Sequence, residues 1–454
     1  MAAFIRSVLA QVKSEVTRVL APQVIEAICR ELNYSWRKCT LDPVTTVYCF
    51  LRQILESNTA CDHVPHLTGL NVTGEAYCKA RSRLPVELFQ RLMRKMCDAV
   101  ATTCDAAALW RGHRLWHIDG SGCSMPDTPE LQAAFGQPGG QAPGCGFPVA
   151  HLMTLFHATT GCLLRIATAA LRTHDMAQAQ RVHDAFRSGD VVVADRGFCS
   201  YAHLAMLKNL GVFAVFRMHQ KTIVNFRKGR ASIKPSDKRA TTRSAKGKPR
   251  SRWVKWLGTC DQIVEYFKPK RRPQWMTAEA YALLPESIEV RELRYRVAQR
   301  GYRVREVLLV ATLLDAQLYP ATELATLYQQ RWEIETNLKH LKQTLRMDVL
   351  RTKTVDGIHK ELAMFAIVYN LIRMLMLQSA TNQKIPVGRI SFIDAQRRLR
   401  HAVAGSPSRK LVVVPERPHR FEPRVRKRRP KEFDLMRKPR RQLKQELIRQ
   451  QLKT

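Results

Sequence analysis

Apolar residues recur at helical spacing along the first quarter of the chain and at strand spacing after it, with the change near Arg114. From Gln23 to about Ala106 the repeat is carried by positions such as Leu84, Leu88, Leu92 and Met96, with turn signals at Leu41-Asp42-Pro43 and Leu84-Pro85. A small all-helical unit is predicted there. Beyond it, Leu115–Ile118, Val149–Phe156, Leu163–Ala167, Val191–Ala194 and Val212–Phe216 are short apolar runs that read as strands, with Gly161 at a hairpin turn. Helical stretches are predicted near 175 to 187 and 201 to 210. Further β-like runs at Ile288–Val297 and Arg305–Leu314 precede a long helix beginning near Ala321.

Three early strands followed by alternating helix and strand predict an α/β fold with a sheet of mixed direction, an order that fits a ribonuclease H-like core. The stretch 219–314 then reads as a β-rich insertion inside that core.

Charge narrows the choice of partner. The chain of 454 residues carries 75 Lys+Arg against 38 Asp+Glu, a net charge of +37, with 45% hydrophobic residues. Such an excess makes a polyanion the default partner, since neutralising phosphates releases counterions. So large an apolar fraction implies more than coating a nucleic acid. Two runs concentrate the charge. Lys221–Lys255 holds thirteen Lys or Arg and one acid and reads as a flexible basic segment; Arg417–Thr454 holds fifteen against four, with Pro418, Pro423, Pro430 and Pro439 breaking any helix until near Arg440. In the helical unit, Asn71-Val72-Thr73-Gly74 precedes Lys79, Arg81 and Arg83, a basic face that either touches DNA or is solvated.

The expected organisation is a helical N-terminal DNA-binding domain over 1–107, a ribonuclease H-like catalytic domain over 108–380, and a basic C-terminal region over 381–454. Met1–Leu20 is amphipathic and has no signal-peptide pattern, and no segment reads as about 18 uncharged apolar residues, so a cytoplasmic protein without membrane contact is expected. The twelve cysteines lie between Cys29 and Cys260 without C-x2-C pairs, which points to reduced thiols. Cys61, His63 and His66 are the nearest approach to a ligand cluster.

Chemistry is carried by acids. Asp119 ends the run Leu115-Trp116-His117-Ile118, and Asp195 ends Val191-Val192-Val193-Ala194; each has glycine within two residues, and each alone could equally be a strand-end turn residue. Tyr328, Arg331, Glu335 and Lys342 are spaced so that one helix face presents all four, within about 60° of one another. Leu324, Leu338 and Leu341 flank that face, which is unlike a merely wet surface of spaced ion pairs. Two-metal phosphodiester chemistry needs several hard carboxylate ligands from separate elements, with basic groups gripping the flanking phosphates. Asp127, Asp190 and Glu333 compete with the chosen acids and rank below them.

The spacing Tyr328-x2-Arg331-x3-Glu335-x6-Lys342 resembles the hallmark of the insertion sequence four family of bacterial transposases. Asp119-Gly-Ser, Pro126-Asp127-Thr128-Pro129, Asp195-Arg-Gly-Phe198, Leu350-Arg-Thr-Lys353 and Tyr369-Asn-Leu resemble it too, over roughly residues 110 to 375, and Ala80-Arg-Ser-Arg-Leu-Pro85 does so more loosely. The resemblance implies a DDE transposase with Asp119, Asp195 and Glu335 as catalytic metal ligands. Mg2+, or alternatively Mn2+, would be the ion, and Tyr328, Arg331, Lys342, Arg81 and Arg83 would contact DNA. It further implies cut-and-paste movement by a homodimer on double-stranded DNA, in a bacterial cytoplasm at the nucleoid. Trp253, Trp256 and Trp275 are candidates to hold a flipped base, though packing suits each of them as well. The rival readings are an idle DNA-binding protein derived from such an enzyme and a ribonuclease H-like nuclease that cuts without joining.

Overall fold

A computed structural model of the chain describes residues 2–12, 15–105, 109–233, 249–297, 306–402, 410–416 and 437–452. Much of both basic runs, 234–248 and 417–436, lies outside the described residues. Among the described residues, six helices precede the first strand: α1 (Ala2–Gln11), α2 (Pro22–Glu31), α3 (Pro43–Leu55), α4 (Val64–Thr68), α5 (Gly74–Arg83) and α6 (Val86–Asp105). Their starts follow capping chemistry. Asp42 accepts from Thr45 N at 2.7 Å ahead of Pro43, and Thr73 accepts from Ala76 N at 3.1 Å, satisfying donors that an α-helix leaves free at its N-terminus.

The strands are β1 (Leu115–Ser124), β2 (Val149–His157), β3 (Leu163–Ala170), β4 (Val191–Ala194), β5 (Phe213–Arg217), β6 (Ser251–Gly258), β7 (Asp261–Phe267), β8 (Ser287–Arg296) and β9 (Glu306–Ala311). All nine join one sheet in the order β3-β2-β1-β4-β5-β9-β8-β7-β6. β1, β2 and β3 are antiparallel neighbours, whereas β1, β4 and β5 run parallel. The intervening helices are α7 (Pro129–Phe135), α8 (Asp175–Ala179), α9 (Tyr201–Asn209) and α10 (Ala278–Ala282). The insertion therefore does not form a separate sheet. It extends the central one, because β9 pairs antiparallel with β5. β6 also begins inside the stretch expected to be a flexible basic segment, and its backbone pairs with β7 despite the surrounding charge.

After β9 come α11 (Ala321–Gln330), α12 (Trp332–Lys339), α13 (Val355–Gln383), α14 (Phe392–Arg400) and α15 (Arg440–Gln451). The long helix expected from Ala321 is thus two helices that break at Arg331 and end in a π turn over His340–Thr344. Side chains on the two sheet faces feed two cores. Val191 and Val193 of β4 pack with Leu115, Leu324, Leu327 and Tyr328 on the α11 face. Val192 and Ala194 join Trp116, Ile118, α9, α13 and the N-terminal helices on the other. The N-terminal helices thus share one core with the sheet, and α6 packs along α13.

α13 has the length and mean hydropathy of a membrane span, although Lys360, Glu361 and Arg373 keep it from being an uncharged apolar run. It is apolar all round because it is enclosed all round, with 83% of its most apolar window buried, as for the central helix of a globular core. One residue on it ties three regions together. Glu361 is fully buried and accepts hydrogen bonds from Asn58 Nδ2 (2.6 Å), Arg351 N and Thr352 N (both 3.1 Å) and Thr352 Oγ1 (2.9 Å). Removing the acceptor would strand buried donors, each costing its desolvation. Glu361→Ala is expected to lower stability by about 3 kcal/mol in urea unfolding; a change within experimental error would show that water replaces the carboxylate.

Candidate active site

The parallel pairing of β1 and β4 sets Leu115 opposite Val191, Trp116 opposite Val192 and His117 opposite Val193. Continued two residues, that register sets Asp119 level with Asp195 on an adjoining strand path, where neighbouring strands lie about 4.8 Å apart. Asp119 shares its side of β1 with Leu115 and so faces α11. Its backbone is fixed by Thr154 Oγ1, which donates to Asp119 O at 3.0 Å, and its carboxylate accepts from Gly120 N at 2.8 Å. Asp195 opens a tight loop in which Gly197 N donates to its Oδ1 at 2.8 Å. Phe198 is buried beyond it, and His203 Nδ1 on α9 donates to Phe198 O at 3.0 Å.

The third acid comes with its helix. α12 packs on β1, and the chain that follows it bonds to the end of that strand: Ser124 N donates to Asp348 O at 3.0 Å and Leu350 N to Ser124 O at 2.9 Å. Lys342 Nζ donates to Ser121 Oγ at 3.1 Å, two residues past Asp119. Arg331 donates to Glu335 Oε1 at 3.2 Å and lies over the Tyr328 ring at 5.8 Å. The four residues read from helical spacing therefore meet β1 together.

Electrostatics shows which groups sense one another. Burial pushes the Asp119 carboxyl up to about 6, with the charges of Asp195 and Glu335 adding to the rise and Arg331 and the Gly120 N–H opposing it. Burial works against the Arg331 charge, but Tyr328, Asp119 and Glu335 more than offset it and hold the guanidinium pKa above its ordinary value. His117, one turn of the pleat before Asp119, is pushed down to about 3 by burial, with Arg331 and His157 adding to it, so it stays neutral. Asp119 and Glu335 both act on the Arg331 guanidinium, and Asp195 acts on Asp119. Among the described residues, no three His, Cys, Asp or Glu side chains stand close enough to hold a single ion as they are.

Hard carboxylate oxygens from a strand, a strand end and a helix are the donor set a divalent ion selects. A carboxylate raised by burial, with like charges adding to the rise, is one that such an ion would relieve. The residues present fit that group.

The competing acids are engaged elsewhere. Asp190 is buried in a two-bond pairing with Arg114 at 2.7 Å, and Asp127 is held by Arg440 (2.9 Å) and Gln132 (2.8 Å). Glu333 lines an 860 Å³ cavity with His340 and Arg373, and burial raises its carboxyl. Two expected DNA contacts are corrected. Arg81 is turned inward, donating to Gln53 Oε1 at 2.8 Å and stacking over Phe50 at 4.6 Å, because α5 packs on α3 there; only Arg83 of that pair is exposed. Tyr328 is likewise buried in the α11 core, beneath Arg331. Of the three tryptophans, Trp256 is exposed on edge strand β6, while Trp253 and Trp275 are partly buried.

Sequence reasoning missed three groups beside the acids. Arg217 ends β5 and, with Arg331, bears on the Tyr328 hydroxyl; a cation closing a buried run was the available signal. His151 on β2 donates through Nε2 to Asp175 at the start of α8 at 2.8 Å, and that bond holds the Asp175 carboxyl below its ordinary value. Nothing local in the sequence links those two.

A family model described as Transposase DDE domain matches residues 110–371, a span that contains Asp119, Asp195 and Glu335. The chain is 24% identical over 439 residues to the transposase InsG for insertion sequence element IS4 of Escherichia coli (strain K12), covering 90% of this chain and 91% of that one. A solved piggyBac transposase synaptic complex with hairpin DNA aligns over 88% of this chain and 80% of that one at 11% identity, with a TM-score of 0.42.

Asp119 supplies a test that needs no metal. Its folded pKa is raised, so its ionised form destabilises the fold above the unfolded value near 4, fully so above about 6. Asp119→Asn in metal-free buffer is therefore expected to be more stable than wild type at pH 7.5, on the order of 2 kcal/mol. That gain should fade as pH falls through 6 towards 4, as the wild-type carboxyl takes up its proton. A gain constant across that range would show that Asp119 does not sense its neighbours.

Proposed function

The chain belongs to the transposase DDE domain family and is a DNA transposase, and from that premise we propose that Asp119, Asp195 and Glu335 are its metal-binding catalytic acids. The observation that carries this is the placement: the β1–β4 register continued two residues sets Asp119 level with Asp195, and α12, which carries Glu335, packs on β1. These three residues would hold Mg2+, or alternatively Mn2+, which when bound activates the attacking oxygen and stabilises the leaving one. Arg331, charged and in the middle of the acids, restrains Glu335 and offers a guanidinium to a phosphate that approaches them. Lys342 adds a point charge at the Ser121 side of the cleft, while Tyr328 sets the height of Arg331 from below.

The strand order β3-β2-β1-β4-β5 and its directions support a ribonuclease H-like core. On that frame the enzyme recognises terminal inverted repeats, hydrolyses strands to free a 3′-OH, and joins that hydroxyl to target DNA as a homodimer. The net charge of +37 supports a duplex as the partner, with Arg83 on an exposed end of α5. It would act on the nucleoid in the cytoplasm.

Incubation with Mg2+ and a labelled fragment bearing the inverted repeats that flank its gene tests the proposal. Wild type is expected to cut at the ends and join them, and Glu335→Gln to lose at least a thousand-fold in rate, about 4 kcal/mol of barrier, while still binding the fragment. Cleavage that persists in Glu335→Gln refutes the acid assignment. Tight binding without cutting favours an idle binder, and cutting without joining a nuclease. Lys342→Ala is expected to slow cleavage about ten-fold to a hundred-fold without lowering the melting temperature; an unchanged rate would leave Lys342 only its bond to Ser121.

A further inference from the structure

Two glycines adjoin the acids, and a single carboxylate fills the space beside both. Gly120 follows Asp119 on β1, and Gly197 lies two residues past Asp195. A Cβ at Gly120 would stand 3.1 Å from Asp175 Oδ1 and 3.2 Å from His151 Nε2. A Cβ at Gly197 would stand 3.1 Å from Asp195 Oδ1 and 3.8 Å from Asp175 Oδ2. Glycine inside a strand weakens it and is placed where another group approaches closely. Here the close group is the Asp175–His151 pair.

The two oxygens of Asp175 have different surroundings. Oδ1 takes the 2.8 Å bond from His151 Nε2, while Oδ2 stands 3.8 Å from the Cβ position of Gly197. The Asp175 side chain is 50% exposed, against 12% for His151. His151 itself sits opposite Gly122 on β2, so its ring is anchored by the sheet. An ion pair with one exposed partner adds little to stability, which leaves its position as the feature to explain. Because side chains alternate along β1, Asp175 meets that strand on the face opposite Asp119 and Arg331. Glu335 and Arg331 thus flank the strand ends from one face, and Asp175 with His151 from the other.

We propose that Asp175, oriented by His151, is a positioning residue of the active site that accepts a hydrogen bond from a water in the hydration shell of the divalent ion at Asp195. Asp195 Oδ1 and Asp175 Oδ2 stand 3.1 and 3.8 Å from the Cβ position of Gly197, so the two oxygens are at most about 7 Å apart, a distance that an ion held at Asp195 together with one of its waters spans. A histidine that fixes a carboxylate next to an ion site is a common way of setting the orientation of the ligands themselves. The inference rests on Asp119, Asp195 and Glu335 being the ion-binding acids.

Mn2+ titration of the full chain by calorimetry, without DNA, tests it. Asp175→Asn keeps an oxygen for His151 Nε2 but loses the anionic Oδ2. It is expected to weaken Mn2+ binding about ten-fold or more with an unchanged metal-free melting temperature, and Asp119→Asn is expected to abolish binding. Asp175→Glu retains the charge and is expected to recover at least part of the affinity. Equal weakening in the Asn and Glu variants would mark a packing role and overturn the proposal. Wild-type affinity in Asp175→Asn, with binding lost in Asp119→Asn, would overturn the proposal and leave the acid assignment standing. Wild-type affinity in Asp119→Asn and Asp195→Asn as well would overturn both.

Discussion

Asp119 occupies a position that its own charge resists. It is drawn out of bulk water at the centre of the sheet, level with a second acid and facing a third, and the penalty appears as a carboxyl raised to about 6. Arg331 works against it, and its own burial is offset by Tyr328, Asp119 and Glu335. Asp119, Asp195 and Glu335 thus gather acidic charge at one place in a chain otherwise strongly basic. That local reversal of sign is what a site for divalent ions requires.

The rest of the fold can be read as the means of keeping these groups together. Parallel pairing of β1 with β4 fixes the two aspartates in register. The bonds from Ser124 to Asp348 and Leu350, and from Lys342 to Ser121, hold the segment after α12 to the same strand. Behind them α13 runs through the core, and its Glu361 ties residues 351 and 352 to Asn58 near the end of α3. A movement of the N-terminal helices would therefore be felt in the segment that anchors α12. The insertion adds four strands to the β5 edge, so the edge strand there is β6, with Trp256 exposed on it.

Much of this was legible in the sequence, for reasons that differ by element. The five core strands were readable because their runs are short, apolar and bounded by turns, and the helix face of Tyr328, Arg331, Glu335 and Lys342 because helical spacing is a local property. What depends on distant partners was not. Arg81 read as part of a surface basic face, but Gln53 and Phe50 on another helix draw it inward. α13 does not read as a membrane span because Lys360, Glu361 and Arg373 interrupt its apolar residues, and only the fold shows that these three are buried with partners. β6 was hidden by charge, since its exposed side carries lysine and arginine while its backbone is paired. Asp175 and His151, apart in sequence, become neighbours only through the pairing of β1 with β2 and the placement of α8.

The claim at the centre is that divalent ions bind where Asp119 and Asp195 lie level. Crystals soaked in Mn2+ and measured at its absorption edge test that most directly, because anomalous scattering locates the ion without reference to activity. The expected result is a strong peak between the carboxylates of Asp119 and Asp195, with Glu335 or Asp175 oxygens turned towards it. A well-occupied peak elsewhere, such as beside Cys61, His63 and His66, with none at the two aspartates, would contradict the account.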